Sequence, residues 1–225
     1  MHLLATDVGI LGTVPLVAAT IPLAVGAGLA SKLRGDRDVA VAFFGDGASN
    51  QGAFHESLNM AANWKLPAVY VVENNGWGEF TPTEFVIPVK DIAVRAGSYA
   101  MASAIADGMD FFDVYEKAGE AVERARAGQG PTLLECKTYR FMGHFVGDPL
   151  KYRSKEEAER WIQTRDPLEG FERRTTEAGL LSSGDLRAID KAVDDELAAA
   201  VVAAEAAPLP DLSELTRDVY VGGVA

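Results

Sequence analysis

The sequence predicts an α/β protein: a doubly wound, mostly parallel sheet followed by a C-terminal helical extension. Three observations carry the prediction. Two apolar runs, 41–44 and 68–72, end in small or polar residues, Gly45-Asp46-Gly47 and Glu73-Asn74-Asn75. A stretch with helical periodicity separates them, so the pair has the length of one strand–helix–strand crossover. Downstream the alternation continues, with a clear helix over 111–127 and a strand over 131–139, and such alternation argues for a parallel sheet covered on both faces.

Residues 1–20 read as loop and turn, punctuated by Gly9, Gly12 and Pro15. A buried helix is expected over 21–33, where Ala24, Gly26, Ala27, Gly28 and Ala30 would admit close neighbours and Gly35-Asp36 closes it. The strand over 38–44 is apolar on both faces, as expected inside a parallel sheet. The helix over 50–64 carries Phe54, Leu58, Ala61 and Ala62 at helical spacing and stops at Lys65-Leu66-Pro67, with Pro67 opening the next strand. Residues 76–88 read as a loop, 89–95 as a short helix and 98–104 as irregular. A helix over 154–164 begins with a capping box, Ser154 with Glu157. Another begins at Asp166-Pro167-Leu168. Ser183-Gly184-Asp185 precedes a long alanine- and acid-rich helix that Pro208 and Pro210 end, and an extended tail is expected from Asp211. The expected organisation is an α/β binding domain over 1–150 with the helices and tail of 151–225 packed on it.

The chain has 225 residues with 33 acidic against 21 basic side chains, a net charge of −12. Nucleic acid is thereby excluded as the main partner, because neutralising phosphates needs clustered Lys and Arg. Cys136 is the single cysteine, so no internal disulfide forms, which fits a reducing, cytoplasmic location. His2, His55 and His144 lack zinc-ligand spacing. No secretory signal is evident. Residues 8–31 carry no charge, but Pro15 and Pro22 interrupt them and the continuous helical part is too short to span a bilayer, so no membrane segment is expected.

Gly45-Asp46-Gly47 alone reads as an ordinary turn. Between a buried strand and a helix it reads differently. Backbone N–H groups at such a helix start can bind a phosphate. A carboxylate beside them is unfavourable unless a cation bridges it to the anion, and magnesium does this with one or two carboxylates, water and phosphate oxygens. Asn74-Asn75 alone reads as an Asx-turn at a strand end. Paired with Asp46, 29 positions earlier, its amide oxygen would complete an oxygen-only site without adding charge. A loop carbonyl near Trp77 would add a ligand.

The stretch GDGASNQGAFHESLNMAANWKLPAVYVVENNGWGEFT resembles the thiamine diphosphate motif, GDG followed one crossover later by NN. Together with the opening MH, IPLAVGAGLA, the KTYRFMGH…DP loop and YRSKEEAERW, it resembles the alpha subunit of the decarboxylating component of 2-oxo acid dehydrogenase complexes, of the pyruvate or acetoin dehydrogenase type. The resemblance covers roughly 1–175 well and the last helix loosely. It implies the thiamine diphosphate-binding fold of the diphosphate-binding type, with thiamine diphosphate and Mg2+ as cofactors. Asp46, the side chain of Asn75 and the carbonyl of Trp77 would hold magnesium. Gly45, Gly47 and Ala48 would lie at the diphosphate, with N–H groups donated by Gly47 and Ala48. Leu16 and Val17 would lie by the aminopyrimidine, although Pro15 and Ala18 stand where the family has glycines. His144 would face the diphosphate and the substrate entrance as the catalytic residue, with Arg140, Asp148 and Arg153 ordering its loop. Phe145 stands where regulated relatives carry a phosphorylatable serine, which implies no phosphorylation control there.

The implied reaction is oxidative decarboxylation of a small 2-oxo acid, or acetoin cleavage, with transfer of the acyl group to a lipoyl arm. The implied partners are a beta subunit, in an alpha2-beta2 heterotetramer, and the lipoyl-bearing acyltransferase. In this family the glutamate that activates the aminopyrimidine comes from the beta subunit. Relatives also carry a segment before the MH region, so the chain is expected to be a fragment, a mis-started gene product or half of a split subunit. A split transketolase-like half and a truncated, non-catalytic assembly subunit are the alternatives. The absence of GxGxxG and of a P-loop lysine weakens a plain nucleotide-binding reading.

Overall fold

A computed structural model describes residues 2–217. Met1 of the opening MH pair and the expected tail beyond Arg217 lie outside the described residues. Compact packing divides the chain into two units between Phe171 and Glu172.

The first unit holds the sheet. Its elements are α1 (Thr20–Arg34), β1 (Ala40–Gly45), α2 (Gly52–Asn63), β2 (Ala68–Asn74), a two-residue hairpin of β3 (Trp77–Gly78) and β4 (Thr81–Pro82), α3 (Thr83–Val86), β5 (Ala102–Asp107), α4 (Phe111–Arg126), β6 (Thr132–Lys137) and α5 (Lys155–Arg165). The four long strands are parallel, in the order β1-β2-β6-β5. One face packs Ala42, Phe44, Tyr70, Val72 and Leu133 against Ile21 and Ala24 of α1 and Phe54, Leu58 and Ala61 of α2. The other packs Val69, Val71, Leu134 and Cys136 with Ala121 of α4. Helices thus lie on both faces, as the doubly wound prediction requires.

Local expectations are corrected at several points. The strand over 38–44 is not apolar-buried on both sides. Among the described residues β1 lies at the edge of the sheet with α1 on one face only, so Val41 and Phe43 are exposed on the other, Phe43 by 60%. α1 is likewise buried on one side only, through Ile21, Ala24, Val25, Gly28 and Ser31, while Leu33 is exposed. The irregular segment at 98–104 gives way to β5, and the short helix moves to a 3-10 helix over Ile92–Tyr99. Small residues in ASAIAD hide the strand from propensity, but pairing with β6 from Ala102↔Thr132 to Asp107↔Lys137 enforces it. The capping box at α5 is half formed. Ser154 accepts the Glu157 N–H, but the Glu157 carboxylate accepts the Tyr139 hydroxyl at 2.9 Å instead of returning to Ser154.

Tyr139 and Trp161 stack with ring centroids 5.0 Å apart, which seats α5 beyond the end of β6. α6 (Pro167–Glu177) runs across the boundary between the units. In the second unit, α7 (Ser183–Ala206) has the complete box, with Ser182 and Asp185 capping reciprocally. The tail from Asp211 is not extended where described: Leu212–Leu215 forms a 3-10 turn capped by Asp211. Among the described residues no helix is long and apolar enough to cross a membrane.

Candidate active site

β1 and β2 pair with Gly45 beside Glu73, so Asp46 and Asn74 leave the same edge of the sheet on neighbouring strands. A five-residue 3-10 turn, Asp46–Asn50, intervenes before α2, which therefore starts two residues later than the periodicity suggests. Ser49 Oγ donates to the Asp46 carbonyl at 2.7 Å. The Arg95 guanidinium donates to the Ser49 carbonyl at 2.5 Å and to Asn50 Oδ1 at 2.9 Å. These contacts fix the turn and with it the Gly47 and Ala48 N–H groups.

Asp46 is only 2% exposed. Its carboxylate accepts the Thr83 hydroxyl, and no cationic side chain pairs with it among the described residues. A buried carboxylate without a positive partner is costly, by several kcal/mol per ion as an order of magnitude. The position is therefore suited to a bound cation.

Asn75 Oδ1 accepts the Trp77 N–H at 3.0 Å, and Asn74 Oδ1 accepts the Gly76 N–H at 3.2 Å. Two successive Asx-turns thus fold residues 74–77, with Gly76 at φ +81 supplying the left-handed step. The Thr83 N–H donates to the Gly76 carbonyl at 2.9 Å. A side chain at Gly47 would meet Gly78 Cα at 3.8 Å, so the turn after β1 and the β3–β4 hairpin lie against each other. Gly45, Asp46, Gly47, Ala48, Asn75 and Trp77 are brought to one place. Their donor set is one carboxylate, one amide oxygen and main-chain groups, which suits a hard cation such as magnesium next to a phosphate. Leu16 and Val17 precede α1 and are exposed, Leu16 by 71%. Thr20 Oγ1 donates to the Phe43 carbonyl at 3.1 Å, which places this end of α1 by the same end of β1.

His144 is exposed on the loop after β6. Its backbone N–H donates to Asp148 Oδ2 at 2.8 Å, and Arg140 lies against its ring Nδ1 at 3.3 Å. A guanidinium only donates, so Nδ1 accepts and the neutral ring carries its proton on Nε2. Asp148 also accepts from the Leu150 N–H and the Tyr152 hydroxyl. Burial would raise its carboxyl; the hydrogen bonds from Tyr152, Leu150 and His144, with the Arg140 charge, hold it below the usual range. Arg153 donates to the carbonyls of Arg140, Phe141 and Met142. The Arg140 guanidinium reaches the Glu79 carbonyl at 2.8 Å, and Tyr152 packs on Trp77 with centroids 5.1 Å apart. The His144 loop is thereby tied to the hairpin that carries Trp77.

Sequence reasoning missed four residues around this site: Thr83 on Asp46, Arg95 on the turn, Tyr152 on Asp148 and Trp77, and Glu135, fully buried in β6 beneath Asn74. Only Glu135 left a signal, a carboxylate within the otherwise apolar LLEC run.

The dehydrogenase E1 component family model matches residues 1–213. The alpha subunit of acetoin:2,6-dichlorophenolindophenol oxidoreductase from Bacillus subtilis is 45% identical over 224 residues, covering 98% of this chain and 66% of that protein. Its counterpart from Cupriavidus necator is 44% identical over 221 residues, with 98% and 66% covered. The pyruvate dehydrogenase E1 component subunit alpha of Rhizobium meliloti is 41% identical over 221 residues, with 98% and 64% covered. The chain spans about two thirds of the length of these relatives. With a match over nearly its whole described length, the chain belongs to the dehydrogenase E1 component family.

Proposed function

We propose that this chain is an alpha subunit that holds thiamine diphosphate through Mg2+ and works in the cytoplasm. With a beta subunit, in an alpha2-beta2 heterotetramer, it decarboxylates a small 2-oxo acid or cleaves acetoin and passes the acyl group to a lipoyl-bearing acyltransferase. The observation that carries this reading is the buried Asp46 carboxylate, without a cationic partner, on the strand edge shared with Asn75 and Trp77. The alpha subunits of acetoin and pyruvate dehydrogenases among its relatives support it.

Thiamine diphosphate, when bound, supplies a carbanion that adds to a carbonyl and then serves as an electron sink. Asp46, Asn75 and the Trp77 carbonyl would hold the metal, and the Gly47 and Ala48 N–H groups would take the diphosphate, with Gly45 leaving room for its approach. Leu16 and Val17 offer apolar contact for an aromatic ring. His144 presents Nε2–H as a hydrogen-bond donor to a substrate carboxylate or a developing oxyanion, with Arg140 against Nδ1 orienting the ring and Asp148 holding the His144 backbone N–H.

The test is a substrate panel on the chain purified with its beta subunit. Turnover of pyruvate, another 2-oxo acid or acetoin with a lipoyl acceptor is expected. Turnover of a ketose phosphate instead would assign a transketolase half, and cofactor binding without turnover would assign an assembly subunit.

A further inference from the structure

Glu135 is fully buried in β6, beside the end of β2, and the chemistry above does not use it. Its Oε1 accepts Asn74 Nδ2 at 2.7 Å and Lys137 Nζ at 2.5 Å, and its Oε2 accepts the Ala93 N–H at 2.8 Å. Lys137 is braced in turn by Asp91 at 3.1 Å and the Lys90 carbonyl at 3.2 Å. Three donors from three segments thus converge on one carboxylate.

We propose that Glu135 is a positioning residue for the metal-binding turn, acting through Asn74. The inference rests on the cofactor reading above. A carboxylate in this pocket accepts only. It therefore takes the Asn74 amide by its nitrogen and leaves Oδ1 facing the Gly76 N–H. That orientation closes the first Asx-turn, and the turn sets where Asn75 and the Trp77 carbonyl stand. A glutamine at 135 keeps one acceptor oxygen for these three donors, so its NH2 must face either the Ala93 N–H or the Lys137 and Asn74 nitrogens, and the Asn74 amide loses its fixed orientation. A reversed Asn74 amide would turn its NH2 to the Gly76 N–H, donor against donor, and open the turn. The role parallels that of hydrogen-bond partners behind metal ligands generally, whose loss weakens metal affinity by about 10–100-fold.

The test uses the full chain with its beta subunit and thiamine diphosphate, titrated with Mn2+ and read by electron paramagnetic resonance. In Glu135→Gln the dissociation constant for Mn2+ should rise about 10–100-fold with the number of sites per chain unchanged, whereas a folding defect would lower that number and leave the constant alone. Asn74→Ala, which leaves Glu135 its Lys137 and Ala93 partners, should show a similar rise. Adding Glu135→Gln to Asn74→Ala should produce no further rise, because both act along one path. In the metal-free chain, hydrogen exchange at the Gly76 amide should quicken in both variants. Unchanged Mn2+ affinity and Gly76 exchange in both, or fully additive losses in the double variant, would overturn the positioning role while leaving the metal site standing. Absence of Mn2+ binding by the unaltered protein would instead overturn the cofactor reading, and this inference with it.

Discussion

Replacing Gly108 by alanine should destabilise the sheet measurably although the change adds a single methyl group. Gly108 follows β5 directly and donates its N–H to the Lys137 carbonyl at 2.7 Å. A Cβ there would lie 2.8 Å from that same oxygen, 3.0 Å from its carbon and 3.1 Å from Thr138 Cβ. The oxygen contact is short of an ordinary carbon–oxygen separation by roughly 0.6 Å. Relief by that amount stretches the hydrogen bond to about 3.3 Å, which forfeits most of its contribution of about 1 kcal/mol. Overpacking against backbone adds about 1–3 kcal/mol. The expected loss is therefore about 2–4 kcal/mol, read as a lowered urea midpoint with the slope unchanged. Gly26→Ala is the matched control. It lies inside α1, nothing stands within 4 Å of an added Cβ, and it should gain about 0.5–1 kcal/mol. Equal midpoints for Gly108→Ala and the unaltered chain, or a comparable loss in Gly26→Ala, would refute the reasoning.

Two further predictions follow from the charges and the thiol. Asp148 has a folded pKa below its ordinary value of about 3.9, so the order it lends the His144 loop is complete above that value and is lost as pH falls through the lower, folded one. Trp77 fluorescence, sensitive to the Tyr152 contact, should change in that acid range before the core unfolds, and Asp148→Asn should abolish the step; its persistence in the variant would remove Asp148 as the cause. Cys136 is buried, and burial followed by the nearby Glu73, Asp113 and Glu135 pushes its thiol up to about 11. A thiol reagent at pH 8 should label it only after denaturation, and rapid labelling of the native chain would contradict its placement on the α4 face.

The crossover from β1 to β2 was legible because both strands end abruptly in polar residues and α2 keeps Phe54, Leu58 and Ala61 on one face. For the same reason the sequence brings the neighbourhoods of Asp46 and Asn75 together: adjacent parallel strands place their ends side by side whatever lies between. Order within the sheet was not legible. Nothing in VAFFG distinguishes an edge strand from a central one, so the exposure of Phe43 appeared only with the strand order. β5 escaped because Ala and Ser are weak strand formers and its state depends on β6. The contacts around the site link residues far apart in the chain, Thr83 with Asp46, Arg95 with Ser49 and Glu135 with Asn74, and hydrophobic period carries no information at that range. The sequence expects Arg140, Asp148 and Arg153 to order the His144 loop, and all three contact it, while nothing in the sequence marks Tyr152 as hydroxyl donor to Asp148 and ring partner of Trp77.

The most direct test is calorimetric titration of thiamine diphosphate into the chain with the beta subunit proposed for it, with and without Mg2+, for the unaltered protein and for Asp46→Asn. Saturable binding that requires Mg2+ and is lost in Asp46→Asn is the result the buried, cation-less carboxylate predicts. Binding that is indifferent both to Mg2+ and to Asp46→Asn would contradict it.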